Sequence, residues 1–243
     1  MNLYCHLPFG KLHRGNPDVI RLAGAIGRTA SSVAMKLCNL ASLDPRLQQR
    51  GVKGLSGASE ADREIWNEFH GDWERLAIQS EELREQYGLP DDSATADEVV
   101  PEIRRFVGAT EGSRVTKVRL AQRFFRSSVL ASYASRCCIT DINQPAFLIA
   151  SHILPWSQYP QHRTDPRNGI CLSSLHDRAF DRGLITFDEN LRMVISAKLR
   201  SGLLNHVLNE SFSRFEGKEL RLPDKFCPEQ SFLAVHRDQI FVQ

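Results

Sequence analysis

Apolar and polar positions follow two different periodicities along the chain. Up to about residue 135, apolar residues recur mainly at spacings of three and four, which is typical of amphipathic helices. From about residue 147, short apolar runs bounded by turn residues occur, and these are typical of strands. We therefore predict an α+β protein with a mainly helical N-terminal part and a mixed C-terminal part.

Near the N-terminus, the pattern predicts two short helices joined by a tight turn. Asn16-Pro17 begins the first, because Asn caps helices well and Pro is favoured at the first helical position. Gly27 ends it, and Thr29 begins the second. This junction is typical of a helix-turn-helix. The second helix is predicted to present residues suited to DNA bases and phosphates, namely Arg28, Ser31, Ser32, Lys36 and Asn39. A helical packing module without DNA contact is the alternative.

The next segments are predicted to contain a wing, a long helix and a linker. A wing hairpin is expected around residues 51–54, and one helix is expected over 59–87. Trp66 and Trp73 would share a face of that helix, where core packing is favoured over base stacking. Another helix is expected over 116–135, with a basic face that either follows a phosphate backbone or is simply solvated.

Charge is strongly segregated along a chain whose net charge is only +2. Residues 1–56 carry eight basic and two acidic side chains, residues 57–102 carry three and fourteen, and residues 103–243 carry twenty and thirteen. Two basic ends around an acidic middle are expected if both ends contact a polyanion. We predict a DNA-binding domain over 1–87, a linker over 88–113 and a second domain over 114–243.

Three polar residues lie at defined points of a predicted strand-loop-strand-helix unit. The strands cover 147–153 and 168–172, and a helix follows from Ser173 or Ser174 to Gly183. His152 ends the first strand, Asn168 opens the second, and His176 lies on the helix. A hairpin is predicted from 184–187 and 192–195, and a closing helix and strand or tail from the last residues.

This unit resembles the HNH endonucleases, also called ββα-metal nucleases. The resemblance covers about residues 130–198. It rests on Ala150-Ser151-His152-Ile153-Leu154-Pro155-Trp156, on Asp165-Pro166-Arg167-Asn168-Gly169-Ile170-Cys171-Leu172, and on the segment from His176 to Ile185. The segment 26–34 is similar to helix-turn-helix modules that precede some HNH nucleases of restriction type. Such modules are described as winged-helix readers, some of them implicated in recognising modified bases.

The resemblance implies a catalytic site that contains His152, Asn168 and His176. His152 would be the general base, since a neutral imidazole can accept a proton near pH 7. Asn168 would hold a backbone group or the imidazole in one orientation. His176 would bind a divalent metal ion, Mg²⁺ or Mn²⁺, together with Asp181 or Asp177. Ser151 occupies the position where the family commonly has a metal ligand. Each helix carboxylate could instead be a solvated surface group.

Cysteine spacing and apolar content restrict the class of protein further. The six cysteines show no CxxC pair, so the sequence does not support a structural zinc, and reduced, mostly buried thiols are expected. No apolar run approaches the ~18 residues of a membrane span, and the first residues lack the pattern of a signal peptide. We therefore expect a cytoplasmic protein without a membrane segment.

The resulting hypothesis is a divalent-metal-dependent endonuclease that acts on double-stranded DNA. The resemblance implies a restriction-type role, including action on modified, methylated DNA. One active site per chain suggests either a homodimer or two sequential nicks. Two other classes stay open: a non-catalytic DNA-binding regulator that retains a degraded HNH fold, for which Ser151 is the best support, and an RNase on the same fold.

Overall fold

The computed structural model describes residues 1–49, 51, 57–89, 112–202 and 205–242. The chain divides into two units, Met1–Ser128 and Val129–Gln243. The predicted wing, except for Gly51, and most of the predicted 88–113 linker lie outside the described residues. The division between the units falls within a helix that both units share. The predicted domain boundaries therefore stay a prediction.

Among its described residues, the unit of residues 1–128 contains helices and their connecting turns. Its helices are α1 (Asn2–His6), α2 (Pro17–Ala25), α3 (Ala30–Leu43), α4 (Pro45–Gln49), α5 (Glu60–Phe69), α6 (Trp73–Gln86) and the first part of α7 (Gly112–Ser132). No described residue of this unit is in a strand, so the winged-helix architecture is not confirmed. Its core contains Tyr4, Val19, Leu37, Trp66 and Phe124.

The predicted junction between α2 and α3 is confirmed. Asn16 Oδ1 accepts hydrogen bonds from the amides of Asp18 and Val19, at 2.8 and 3.4 Å. Gly27 has a φ of +64°, a conformation that costs a glycine little, and it ends α2. Thr29 Oγ1 then accepts from the amide of Ser32 at 3.2 Å and caps α3. Local sequence alone is sufficient to produce this turn.

The single helix predicted over 59–87 is wrong, because the segment forms two helices, α5 and α6. Gly71 favours a break, and Asp72 caps the second helix by accepting from the amide of Arg75 at 3.1 Å. Trp66 and Trp73 therefore lie on different helices. Both are buried, and both contact the His70 ring at the break, at 4.8 and 5.4 Å between centroids. The prediction that they pack in the core is confirmed.

The unit of residues 129–243 contains two small antiparallel sheets and four helices among its described residues, besides the last turn of α7. Strands β1 (Leu148–His152) and β2 (Gly169–Ser173) pair with Leu148 opposite Ser173 and His152 opposite Gly169. Helix α8 (Ser174–Asp181) follows β2 directly. Strands β3 (Ile185–Phe187) and β4 (Met193–Ile195) form the predicted hairpin, followed by helices α9 (Ala197–Ser201), α10 (His206–Phe212) and α11 (Gln230–Gln239). The predicted β-β-α order is confirmed.

The core of this unit lies where α8 packs on the sheets. Every residue of β2 is buried, and so are Leu148, Phe180 and Phe187. Four of the six cysteines are buried, as predicted, and none of the six forms a disulfide bond. Among the described residues, no helix is both long and apolar enough to cross a membrane. Helix α8 thus begins at the end of β2 and packs against β1 and β2.

The buried imidazole of His236 makes the stability of this unit depend on pH. Burial lowers the pKa of His236 to about 4. The unfolded chain, with a pKa of about 6.5, takes up the proton first as pH falls. The contribution of neutral His236 to the free energy of unfolding is therefore fully present above about pH 6.5. It decreases towards pH 4, by about 3 kcal/mol at most. We expect His236→Phe, which cannot titrate, to show a smaller loss than wild type in urea unfolding at pH 7 and pH 4.5. Identical losses in the two proteins would contradict this assignment.

Candidate active site

His152 lies at the end of β1 with one ring nitrogen held by the backbone. Its Nε2 lies 3.0 Å from the carbonyl oxygen of Arg163. A carbonyl can only accept, so Nε2 carries the proton and Nδ1 is left unprotonated. Burial lowers the pKa of His152 to about 4, an effect larger than the opposing hydrogen bond to Arg163. The imidazole is therefore neutral at pH 7, the state that a general base requires.

Asn168 positions the loop that orients His152. Its Oδ1 accepts from the amide of Leu154 at 2.8 Å, and its Nδ2 donates to the carbonyls of His162 and Leu154 at 3.0 and 3.4 Å. His162 directly precedes Arg163, whose carbonyl holds the His152 ring. Asn168 is almost fully buried. Through these hydrogen bonds its amide links the end of the loop between the strands to the beginning and the middle of that loop. It acts on His152 through the loop.

Arg163 and Trp156 complete the surroundings of His152, although the sequence predicted neither as a site residue. Arg163 Nε donates to the carbonyl of Trp156 at 2.7 Å, and its guanidinium lies 5.1 Å from the centre of the Trp156 ring. The same ring meets His152 edge-on at 5.3 Å. The only sequence signal for these two residues was the position of Trp156 in the motif that resembles the HNH family. The Arg163 contribution comes from its backbone, which no residue pattern reveals.

Two carboxylates occupy successive turns of α8. Burial raises the pKa of Asp177, while Ser151 and Arg178 oppose this shift. Burial and the charge of Asp177 raise the pKa of Asp181 to about 6, opposed by Arg178 and Arg182. Asp177 is half-buried and Asp181 is exposed, and the two carboxylates repel each other. A cation between them would relieve that repulsion.

Ser151 supplies an oxygen beside these carboxylates. Its Oγ is buried and forms no hydrogen bond of normal geometry with any described residue, yet it lies near enough to Asp177 to lower the pKa of that carboxyl. Buried polar atoms are rarely left unsatisfied. An unsatisfied hydroxyl and two carboxylates form a set of oxygen donors that suits Mg²⁺ or Mn²⁺. The residues therefore fit a hard divalent ion, although no three His, Cys, Asp or Glu side chains cluster within the described part of the chain.

His176 is not placed as the sequence predicted. Its ring is 2% exposed and both nitrogens are used: Nδ1 meets Ser173 Oγ at 2.8 Å, and Nε2 meets the carbonyl oxygen of Ser211 at 2.8 Å. That pattern makes Nε2 the donor to Ser211 and Nδ1 the acceptor from Ser173. An imidazole bonded in this way has no lone pair available for a metal ion. The geometry thus favours Asp177, its neighbour, as the ligand on α8.

The five predicted DNA-binding residues are not all available to DNA. Asn39 is buried and donates to the carbonyl of Gly57 at 3.3 Å and to Asp62 at 3.0 Å. Lys36 is exposed but forms an ion pair with Asp62 at 2.9 Å. Both side chains therefore attach α3 to the start of α5, which corrects the prediction that Asn39 reaches base edges. Of the other three, Arg28 is exposed in the turn before α3, and in the first turn of α3 Ser31 is exposed and Ser32 is half-buried.

Asn39→Ala should destabilise the protein without weakening its contact with DNA. Burial raises the pKa of Asp62, but hydrogen bonds from Lys36, Ser59 and Asn39 outweigh this and lower it to about 2. Losing a buried donor to such a carboxylate should cost about 1–3 kcal/mol in urea unfolding. The exposed control Ser31→Ala should stay within about 0.5 kcal/mol of wild type. Reduced DNA affinity of Asn39→Ala at unchanged stability would support the original prediction instead.

The geometry above can be compared with known families. Residues 137–188 match the HNH endonuclease family model. The HNH match spans β1, β2, α8 and β3, and it includes His152, Asn168 and both helix carboxylates. It supports the predicted HNH nuclease unit, and the family suggests metal-dependent nuclease activity with DNA as the substrate. No curated protein matches the chain. Residues 1–136 and 189–243 lie outside the match.

Proposed function

We propose that this protein is a DNA endonuclease in which His152 is the general base and Ser151, Asp177 and Asp181 bind a divalent metal ion. The observation that carries the proposal is the unprotonated Nδ1 of His152, on the residue next to the unsatisfied hydroxyl of Ser151. A base and one oxygen ligand on adjacent residues of β1, with two carboxylate ligands on α8, suit phosphodiester hydrolysis.

The side chains have separate tasks in this reaction. When bound, the divalent ion supplies positive charge for the phosphate oxygens and the leaving oxygen. His152 Nδ1 accepts the proton of the attacking water, while the Arg163 carbonyl keeps the proton on Nε2. Asn168 maintains that arrangement through the loop. The water oxygen bonds to phosphorus as the bond to the 3′ oxygen breaks, and solvent protonates the leaving oxygen.

Arg178 and Arg182 are suited to hold the DNA backbone at this site. Both are exposed, and neither forms a hydrogen bond or ion pair of normal distance with a described residue. Both charges act on Asp181, since each lowers its pKa. They are one turn apart on α8, next to the carboxylates. We assign them to contacts with the phosphates that flank the scissile bond, where a guanidinium can bind two oxygens.

The N-terminal unit is proposed to select the DNA site, in a restriction-type role that includes modified, methylated DNA. Arg28, Ser31 and Ser32 support this proposal by their position at the start of α3, beside the tight turn. The first turn of a helix suits phosphate binding, because its free amides point outwards. Cutting both strands with one site per chain further suggests a homodimer.

Incubation of supercoiled plasmid with the protein tests the function directly. We expect nicked and linear products with Mg²⁺ or Mn²⁺, and none with EDTA. Methylated and unmethylated plasmids in parallel test the proposed selectivity. Binding without cleavage under every metal condition would favour the non-catalytic regulator, a hypothesis that the lack of three clustered His, Cys, Asp or Glu side chains in the described residues supports. Cleavage of RNA but not of DNA would favour the RNase.

A further inference from the structure

The C-terminal helix α11 contacts several parts of the nuclease unit, although it lies outside the residues that match the HNH family. We call residues 229–242 the C-terminal brace. Its contacts fall on the C-terminal end of α8, on the residues that follow α8, and on the loop between β1 and β2. These are the segments that hold the proposed ligands and the carbonyl that orients His152.

The first contact is made by the ring of His236 on the last turn of α8. The ring stacks on Phe180 with 3.8 Å between centroids and an interplanar angle of 1°. His236 Nε2 donates to the carbonyl of Phe180 at 3.2 Å, and Nδ1 accepts from the hydroxyl of Thr186 at 2.9 Å. Phe180 lies between Asp177 and Asp181 in the helix. The stack and both hydrogen bonds therefore restrict rotation of the segment that carries the carboxylates.

The second contact closes the end of α8 against the chain terminus. Gly183 has a φ of +64°, and a Cβ at this residue would lie 1.9 Å from the carbonyl oxygen of Ile240. The amide of Val242 donates to the carbonyl of Gly183 at 2.9 Å. Only glycine permits so close an approach of the two backbones. The position of the last described residues is thus linked directly to the end of α8.

The third contact joins the brace to the loop that Asn168 holds. The amide of Glu229 donates to the carbonyl of Arg167 at 3.1 Å. The Phe232 ring lies 4.6 Å from that of His162, whose carbonyl accepts from Asn168. One continuous segment therefore contacts both sides of the candidate site, the helix with the carboxylates and the loop with the Arg163 carbonyl.

We propose that the C-terminal brace is a positioning element that holds α8 and the β1–β2 loop in the relative placement that catalysis needs. This inference rests on the proposed function, because it assigns the brace to that site. His236 and Gly183 are positioning residues, since neither belongs to the proposed ligand or base set. Displacing a reacting group by about 1 Å can cost about 100-fold in rate. The brace thus acts on turnover more than on DNA binding.

A pair of glycine substitutions separates positioning from general destabilisation. Gly183→Ala adds a Cβ that collides with Ile240. Gly217→Ala adds one at a similar φ of +70°, with no atom within 4 Å. Both variants share the backbone cost of alanine at positive φ, but only the first displaces the brace. Each full-length protein is compared with wild type, well below its unfolding temperature, by hydrogen exchange of α8, Mn²⁺ titration and plasmid cleavage.

We expect the amides of α8 in Gly183→Ala to exchange at least about tenfold faster than in wild type. This variant should also bind Mn²⁺ more weakly, and its kcat should fall about 100-fold with little change in KM. Gly217→Ala should match wild type in all three measurements. Equal behaviour of the two variants, or wild-type exchange in Gly183→Ala, would overturn the brace. If wild type itself does not cut DNA, the proposed function fails while the exchange of α8 still tests the brace.

His236→Phe provides the same comparison where Gly183→Ala does not fold. It keeps an aromatic ring against Phe180 but removes the hydrogen bonds to Thr186 and to the Phe180 carbonyl. We expect faster exchange confined to α8 and β3, and a lower kcat at unchanged KM. Wild-type exchange and kcat in folded His236→Phe would overturn the proposal.

Discussion

His152→Ala is expected to lower the rate of plasmid cleavage by about 10²–10⁴-fold, the usual contribution of a positioned general base. The reason is geometric: the Arg163 carbonyl keeps the proton on Nε2, and burial holds the imidazole neutral, so that Nδ1 can accept a proton. DNA affinity measured in the presence of Ca²⁺ should change little. Single-turnover cleavage at saturating protein reports the chemical step without the binding step.

His152→Gln is the matched variant for this prediction. Its side-chain amide can still donate to the Arg163 carbonyl, but it has no basic nitrogen, so it should lose as much activity as His152→Ala. His206→Ala, an exposed histidine outside the HNH match, should retain wild-type activity. Cleavage near the wild-type rate by both His152 variants would remove this residue from the mechanism.

Exchanging the α8 carboxylates for amides is expected to abolish tight binding of the divalent ion. Asp177→Asn and Asp181→Asn keep the size of each side chain but remove its charge. A charge pair at about 4 Å contributes about 4 kcal/mol at an effective dielectric constant of 20, and about 1.4 kcal/mol is a factor of ten, so each variant should lose up to about 1,000-fold in Mn²⁺ affinity. Calorimetric titration measures this directly. Glu189→Gln, at an exposed residue between β3 and β4, serves as the control.

His176→Ala distinguishes the structural assignment from the one predicted by sequence. We expect it to keep Mn²⁺ affinity but to lose about 1–3 kcal/mol of stability, because the carbonyl of Ser211 loses its buried donor. The opposite result, a loss of affinity in His176→Ala with normal affinity in both Asp variants, would restore the original assignment. Under the proposed function, the two histidines of the predicted motif would have different tasks, His152 in chemistry and His176 in packing.

The matched HNH segment is held in place by residues that lie outside it. The HNH match ends at residue 188, yet contacts from Ser211 and His236 determine which side chains of α8 can face the site. A unit of about 50 residues with three short strands buries little apolar surface by itself. The helices that follow it supply that burial, and they also set the rotation of α8.

The sequence by itself determined the features that depend on neighbouring residues. Asn16-Pro17 and Gly27 specified the limits of α2, and short apolar runs around His152 and Asn168 specified β1 and β2. The break between α5 and α6 was also local, since Gly71-Asp72 is a signal for it, although the apolar stripe across 59–87 obscured that signal. Such features can be predicted because capping, turn conformation and strand alternation act over only a few residues.

Only the tertiary structure decided which side chains face the site. His176 and Asp177 are adjacent on one helix, about 100° apart around its axis, so periodicity cannot tell which of them meets Ser151. The choice depends on Ser211, 35 residues further along, which takes the His176 ring. Asn39 likewise has the spacing of an exposed residue in the sequence, but in the structure its side chain donates a hydrogen bond to Asp62. Long-range packing makes these decisions, because burial and hydrogen bonding of a side chain depend on partners that are distant in sequence.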